Sequence, residues 1–143
     1  MTDKNVSIMN IGSMGYLPQV FKKIENEKKL NIVYLGGSIT MGCNATKTEL
    51  RYVDRSAKWW QTNFPDAEIS YFNAGIGATT SQFGVARVQE HVLDKQPDLV
   101  FVEFSVNDSS SPLFMETYES LVRRLLKAES VKAVVLINNL FYD

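Results

Sequence analysis

The spacing of apolar positions changes period several times along the chain, and each change predicts an element. Leu17, Val20, Phe21 and Ile24 recur at i, i+3, i+4 and i+7 with Lys22, Lys23, Glu25 and Glu27 between them, the stripe of an amphipathic helix with Pro18 in its first turn. Leu30 to Leu35 is a short β-branched and aromatic run that stops at Gly36-Gly37, as a strand entering a tight turn does. Ser56 to Phe64 carries Ala57, Trp59 and Trp60 and ends before Pro65, which predicts a helix. Glu68 to Phe72 reads as a second strand, followed by Asn73-Ala74-Gly75-Ile76-Gly77. Thr79, Thr80 and Ser81 are candidate N-caps for a helix with Val85, Ala86, Val88, Val92 and Leu93 on its apolar side. Leu99 to Phe104 is apolar almost without alternation, the pattern of a strand covered on both faces. Tyr118, Leu121, Val122 and Leu125 repeat the helical stripe, with Glu116 and Glu119 early and Arg123, Arg124 and Lys127 late, as the helix dipole favours. Val131 to Ile137 predicts a fourth strand.

Strands alternating with helices predict an α/β fold with a parallel sheet covered on both faces. In such sheets function gathers at the carboxyl ends of the strands, beside the switch in strand order. Composition narrows the picture. A chain of 143 residues, 45% hydrophobic and 22% charged, suits one domain with a core. Fifteen Lys and Arg against sixteen Asp and Glu leave no basic field, so nucleic acid is not expected as a partner. Apolar runs such as Ala133 to Ile137 fall far short of the roughly 20 residues needed to cross a bilayer, so no membrane is expected. Met1-Thr2-Asp3-Lys4-Asn5 opens no secretory signal, and the expected location is cytoplasmic. The lone Cys43 allows no internal disulfide. Asp54, Asp66, Asp98 and Asp108 are not grouped with His or Cys, so no metal or cofactor is expected.

Three strand ends carry unusual chemistry. Ser38 follows two glycines at a strand-to-helix turn, where a hydroxyl can stand at the top of the sheet as a nucleophile; the competing role is a helix cap. Asn73 to Gly77 is a glycine-rich loop whose N–H groups can approach a ligand, or a plain turn. Asn107 can offer an amide to an oxyanion, or form an Asx-turn beside Asp108. A phosphate cradle over Gly36 to Gly42 is the weaker reading, because the loop lacks the Gly-Lys-Ser/Thr ending of a P-loop.

With these blocks together, Gly36-Gly37-Ser38-Ile39-Thr40, Asn73-Ala74-Gly75-Ile76-Gly77-Ala78-Thr79-Thr80 and Val106-Asn107-Asp108, the chain resembles the SGNH hydrolases, the GDSL esterase and lipase family, over nearly its whole length. The resemblance implies a flavodoxin-like three-layer α/β/α fold, here lacking the final strand and helix. It implies that Ser38 attacks an acyl carbonyl while the Ser38 N–H, a second-block N–H and the Asn107 side chain bind the oxyanion. The second-block donor falls at Ala78, where the family often has glycine, with Gly77 as the alternative carrier. Gly37, where many members have aspartate, is shared with a branch resembling carbohydrate acetyl esterases and tilts the substrate toward acylated sugars.

The family's base is a histidine in a C-terminal Asp-x-x-His block, and residues 1–143 contain no such block. They are therefore expected to form a single domain incomplete at its C-terminal end. His91 falls about 140° from the apolar stripe of its helix and some three turns from the site, roughly 15 Å at the helical rise, and is expected to be a solvated surface residue. Without a further strand, the fourth strand would present an apolar edge, which predicts self-association. Cys43 is expected to be a small buried thiol, Glu103 to find a partner in Arg87, and Trp59 and Trp60 to pack their helix on the sheet. The alternative function is a non-catalytic member of the fold that binds a small ligand or carbohydrate.

Overall fold

The computed structural model describes residues 10–139, so the leader reading at residues 1–5 and the chain end at Asp143 lie outside the described residues. The elements run α1 (Leu17–Glu27), β1 (Lys29–Gly36), α2 (Ser38–Met41), α3 (Tyr52–Asn63), β2 (Glu68–Gly75), α4 (Ser81–His91), β3 (Leu99–Glu103), α5 (Pro112–Leu126) and β4 (Ala133–Leu136), with short 3₁₀ turns at Thr48–Leu50 and Leu93–Lys95. The four strands form one sheet in the order β2-β1-β3-β4, every pairing parallel. That order is the flavodoxin-like sequence 2-1-3-4-5 through its fourth strand. Among the described residues no strand pairs with the outer edge of β4.

Handedness explains the layers. The step from β1 to β2 moves one way across the sheet and the later steps move the other, so right-handed crossovers put α3 on one face and α4 and α5 on the opposite one. Alternate residues of β1 separate accordingly. Ile32 and Tyr34 join Val20, Ile24, Val53 and Trp60 in one core, while Val33 and Leu35 join Val88, Phe104, Leu121 and Leu125 in the other. Each such side chain, fully buried, contributes about 1.5–3 kcal/mol, which is why central β1 has almost no polar positions.

Its polar positions are Lys29, exposed at the start, and Asn31, whose N–H donates to Asp98 Oδ2 at 2.9 Å while Asp98 meets Lys23 Nζ at 3.3 Å, so the amino end of the sheet closes on a paired carboxylate. Phe21, Trp60 and Phe64 stack beneath α1, with Phe21 and Trp60 ring centres 5.7 Å apart. Trp59, by contrast, faces outward at 52% exposure, so only one of the tandem tryptophans packs into the core.

The α4 stripe also differs from the periodic reading. Ala86 is exposed, and Gly84 and Arg87 are buried with Val88. Gly84 allows this rotation, because a Cβ there would lie 2.9 Å from the Phe104 ring. A glycine contributes nothing to an apolar count, so the sequence pattern could not register the helix's closest approach.

Candidate functional site

β1 ends in Gly36-Gly37 because the chain must turn where it is hemmed in on two sides. A Cβ on Gly36 would collide with Thr40 Oγ1 and the Glu103 carbonyl. A Cβ on Gly37 would sit 2.9 Å from Asn107 Nδ2 and 3.2 Å from the Thr79 carbonyl. The first turn therefore carries no side chain where the other two strand ends press against it. Ser38 is the first residue of α2, and the N-cap position belongs to Gly37. The cap role weighed for Ser38 is thus not the one it plays. Its half-buried hydroxyl has no hydrogen-bond partner among the described residues.

The second loop is fastened to the first. Asn73 Nδ2 donates to the Thr40 carbonyl at 2.8 Å, its Oδ1 accepts the Gly75 N–H at 2.8 Å, and the Ile76 N–H donates to the Gly36 carbonyl at 3.1 Å. A Cβ on Gly75 would run into the backbone of Thr40 and Met41, so the two segments touch main chain to main chain. Beyond this contact the Gly77 and Ala78 N–H groups have no acceptor among the described residues. Ala78 takes φ +56°, the left-handed region, and is exposed. A non-glycine residue held there stores local strain.

The third loop closes the arrangement. Asn107 Nδ2 donates to the Thr79 carbonyl at 2.8 Å, and the Thr79 hydroxyl donates to the Ile76 carbonyl at 2.7 Å. An amide nitrogen has two N–H bonds, so one remains at Asn107, whose Nδ2 lies over Gly37. Asp108 Oδ1 accepts the Ser81 N–H at 2.9 Å, capping α4 from another strand end. Thr80 holds the N-cap position without a side-chain bond, so none of Thr79, Thr80 and Ser81 makes the expected cap. The three strand ends thus meet as one knot, bringing together Ser38, Gly77, Ala78 and Asn107 at the carboxyl edge of the sheet.

Three expectations fail here. Glu103 does not pair with Arg87; its Oε1 accepts from Ser105 Oγ at 3.1 Å, and its Oε2 is buried without a partner among the described residues. Arg87 is committed instead to backbone carbonyls of β1 and β2. Cys43 is exposed, because α2 ends at Gly42 in the left-handed region and the chain turns outward. His91 is only partly solvated: its Nδ1 lies 3.2 Å from Arg87 Nη1, and Glu90 is its other polar neighbour. It lines a cleft of about 300 Å³ with Phe72, Gly75, Ile76 and Lys95, outside the β2 edge.

A larger groove of about 720 Å³ opens between α5 and the end of β4, walled by Ser105, Asp108, Phe114, Tyr118, Leu126 and Leu136. Burial pushes the Tyr118 phenol up to about 12. On the opposite face Tyr52 shares a 2.8 Å hydrogen bond with Thr40 Oγ1, so α3 supports α2 from behind; burial raises its phenol as well.

The model of the GDSL-like lipase/acylhydrolase family matches residues 34–142, which include all three blocks. No match is found among curated proteins. The crystal structure of a two-domain esterase (CEX) active on acetylated mannans is similar with a TM-score of 0.89 and 48% identity, over 92% of this chain and 36% of that one. The same esterase co-crystallised with mannopentaose gives 0.80 and 50%, over 85% and 34%. A catalytic mutant of Axe2, an acetylxylan esterase from Geobacillus stearothermophilus, gives 0.61 and 22%, over 75% and 58%, a likeness of fold alone. The chain spans about a third of the length of the acetylmannan esterase.

Proposed function

Because the chain belongs to the GDSL-like lipase/acylhydrolase family, we propose that its three knotted strand ends are the nucleophile and oxyanion half of a serine esterase site. The observation that carries this reading is the unbonded Ser38 hydroxyl one residue after Gly37, the residue over which Asn107 Nδ2 keeps an uncommitted N–H. Ser38 Oγ attacks the acyl carbonyl carbon, the carbonyl oxygen takes the charge, and the alcohol leaves with a proton; water then releases the acid from the acyl-serine. Three donors face the oxyanion: the Ser38 N–H at the helix start, the remaining Asn107 N–H, and the Ala78 N–H, with Gly77 as the alternative.

Acetylated sugars are the proposed substrate class, supported by the 48% identity to an esterase active on acetylated mannans. The proton of Ser38 needs an acceptor, and His91, the one histidine in the sequence, is engaged with Arg87 and Glu90. We propose that the base lies outside the described residues. Turnover by the 143-residue chain is then slow, because the Ser38 proton has to pass to water during attack. Hydrolysis of a chromogenic acetyl ester by the chain and by Ser38→Ala tests this: a rate lost with the serine is expected, and equal rates overturn it.

The absence of a proton acceptor beside Ser38 among the described residues favours a second reading, a non-catalytic carbohydrate binder. Calorimetric binding of acetylated manno-oligosaccharides without Ser38-dependent turnover would establish that alternative.

A further inference from the structure

One side chain joins the last carbonyl of β1 to the penultimate carbonyl of β2. Arg87, in the middle of α4 and 5% exposed, donates from Nη1 to Ala74 O at 2.7 Å and from Nη2 to Gly36 O at 3.0 Å. The Gly36 carbonyl already accepts the Ile76 N–H, so Arg87 fills its second lone pair. These two carbonyls precede the segments that matter: Gly36 leads into Gly37-Ser38, and Ala74 into the loop of Gly75 to Ala78. The guanidinium is a rigid planar fork, so fixing its two donors fixes the separation of the two acceptors. His91 closes the outer side, its Nδ1 at 3.2 Å from Nη1.

The cation is held at a cost. Burial lowers its pKa, and its Nε is buried without a partner among the described residues. Among the described residues no carboxylate pairs with it, and Glu103 bonds to Ser105 instead. A well-packed apolar residue would serve a plain core position without that penalty.

We propose that Arg87 is a positioning residue that clamps the serine turn to the second loop, so that the Ser38 hydroxyl and the loop N–H groups converge on one carbonyl group. The proposal rests on the esterase reading above. It assigns to Arg87 no contact with substrate. Removing the clamp therefore lowers kcat and leaves KM nearly unchanged, by about a hundredfold if the loops part by an ångström.

The test uses the whole chain and two readouts. In Arg87→Ala, amide exchange at Ile76 and Gly37 accelerates at least roughly tenfold while Val33 and Leu35 stay protected, and Ser38-dependent acetyl-ester hydrolysis loses kcat with KM within about twofold. Added guanidinium ion restores both; Arg87→Lys, with a single donor centre, restores neither. Unchanged exchange at Ile76 and Gly37, or a loss expressed in KM alone, overturns the clamp. Should Arg87→Ala not fold, Arg87→Lys is read by the same two measurements, and wild-type kcat in it overturns the proposal. If wild-type and Ser38→Ala rates are equal, the esterase reading fails and the catalytic role of Arg87 falls with it, while exchange still reports whether the loops are clamped.

Discussion

Asn107 commits one amide N–H to the Thr79 carbonyl, which orders the second loop, and its Nδ2 lies over Gly37, where in the proposed site the other N–H serves the oxyanion. Asn107→Ala is expected to lower kcat for acetyl-ester hydrolysis by about 10² to 10³, the usual effect of losing one oxyanion donor. Ala78 makes a different prediction, because its φ of +56° belongs to glycine. Ala78→Gly relieves that strain at the cost of a freer unfolded chain, and a stabilisation of up to about 1 kcal/mol by urea unfolding is expected. A clear destabilisation would show that the methyl group is packed rather than strained. The candidate site could be proposed from the sequence wherever its chemistry lies in contiguous blocks, as it does for Ser38, Ala78 and Asn107. It was illegible at Arg87 and Asp108, whose partners lie 51, 13 and 27 positions away and leave no local spacing to read.

α4 begins where Asp108 receives the Ser81 N–H, so one helix takes its cap from another strand's loop. Asp108→Ala is expected to cost about 1 kcal/mol, measured as a lower Tm, with α4 amides near Ser81 exchanging first. At the start of α3, Asp54 binds Arg51 at 2.6 Å and the Tyr71 hydroxyl at 2.8 Å, tying that helix to β2. The Arg51 guanidinium, through this hydrogen bond, holds the Asp54 carboxyl below its usual range. A folded-state pKa below the unfolded one contributes stability that is complete above the unfolded value, about 4, and disappears as pH falls through the folded value. Asp54→Asn should therefore lower urea stability by about 1–2 kcal/mol at pH 7 and match wild type below that folded value; an equal deficit at every pH would refute the assignment. β1, β3 and the α1 stripe followed their apolar periods closely, whereas β2 leaves Tyr71 and Phe72 exposed. α3 begins at Tyr52 rather than Ser56, with Val53 in the core and Asp54 anchoring the first turn to another element. β2 continues to Gly75 along β1, where Asn73 and the glycine mimic a turn.

For the whole molecule, strand order decides what is left unpaired. Among the described residues β4 is an outer strand, with Leu136 46% exposed beside the groove under α5. Open apolar edges recruit further strands, so the 143-residue chain is expected to self-associate with rising concentration in light scattering, and Leu136→Lys to weaken that association. A wild-type monomer at millimolar concentration would contradict this. Cys43, the only thiol in the sequence, is exposed, and its N–H donates to the Ser38 carbonyl at 2.9 Å. A maleimide dye can thus be attached at one address without altering a single residue, and its emission would register whatever settles over the serine turn.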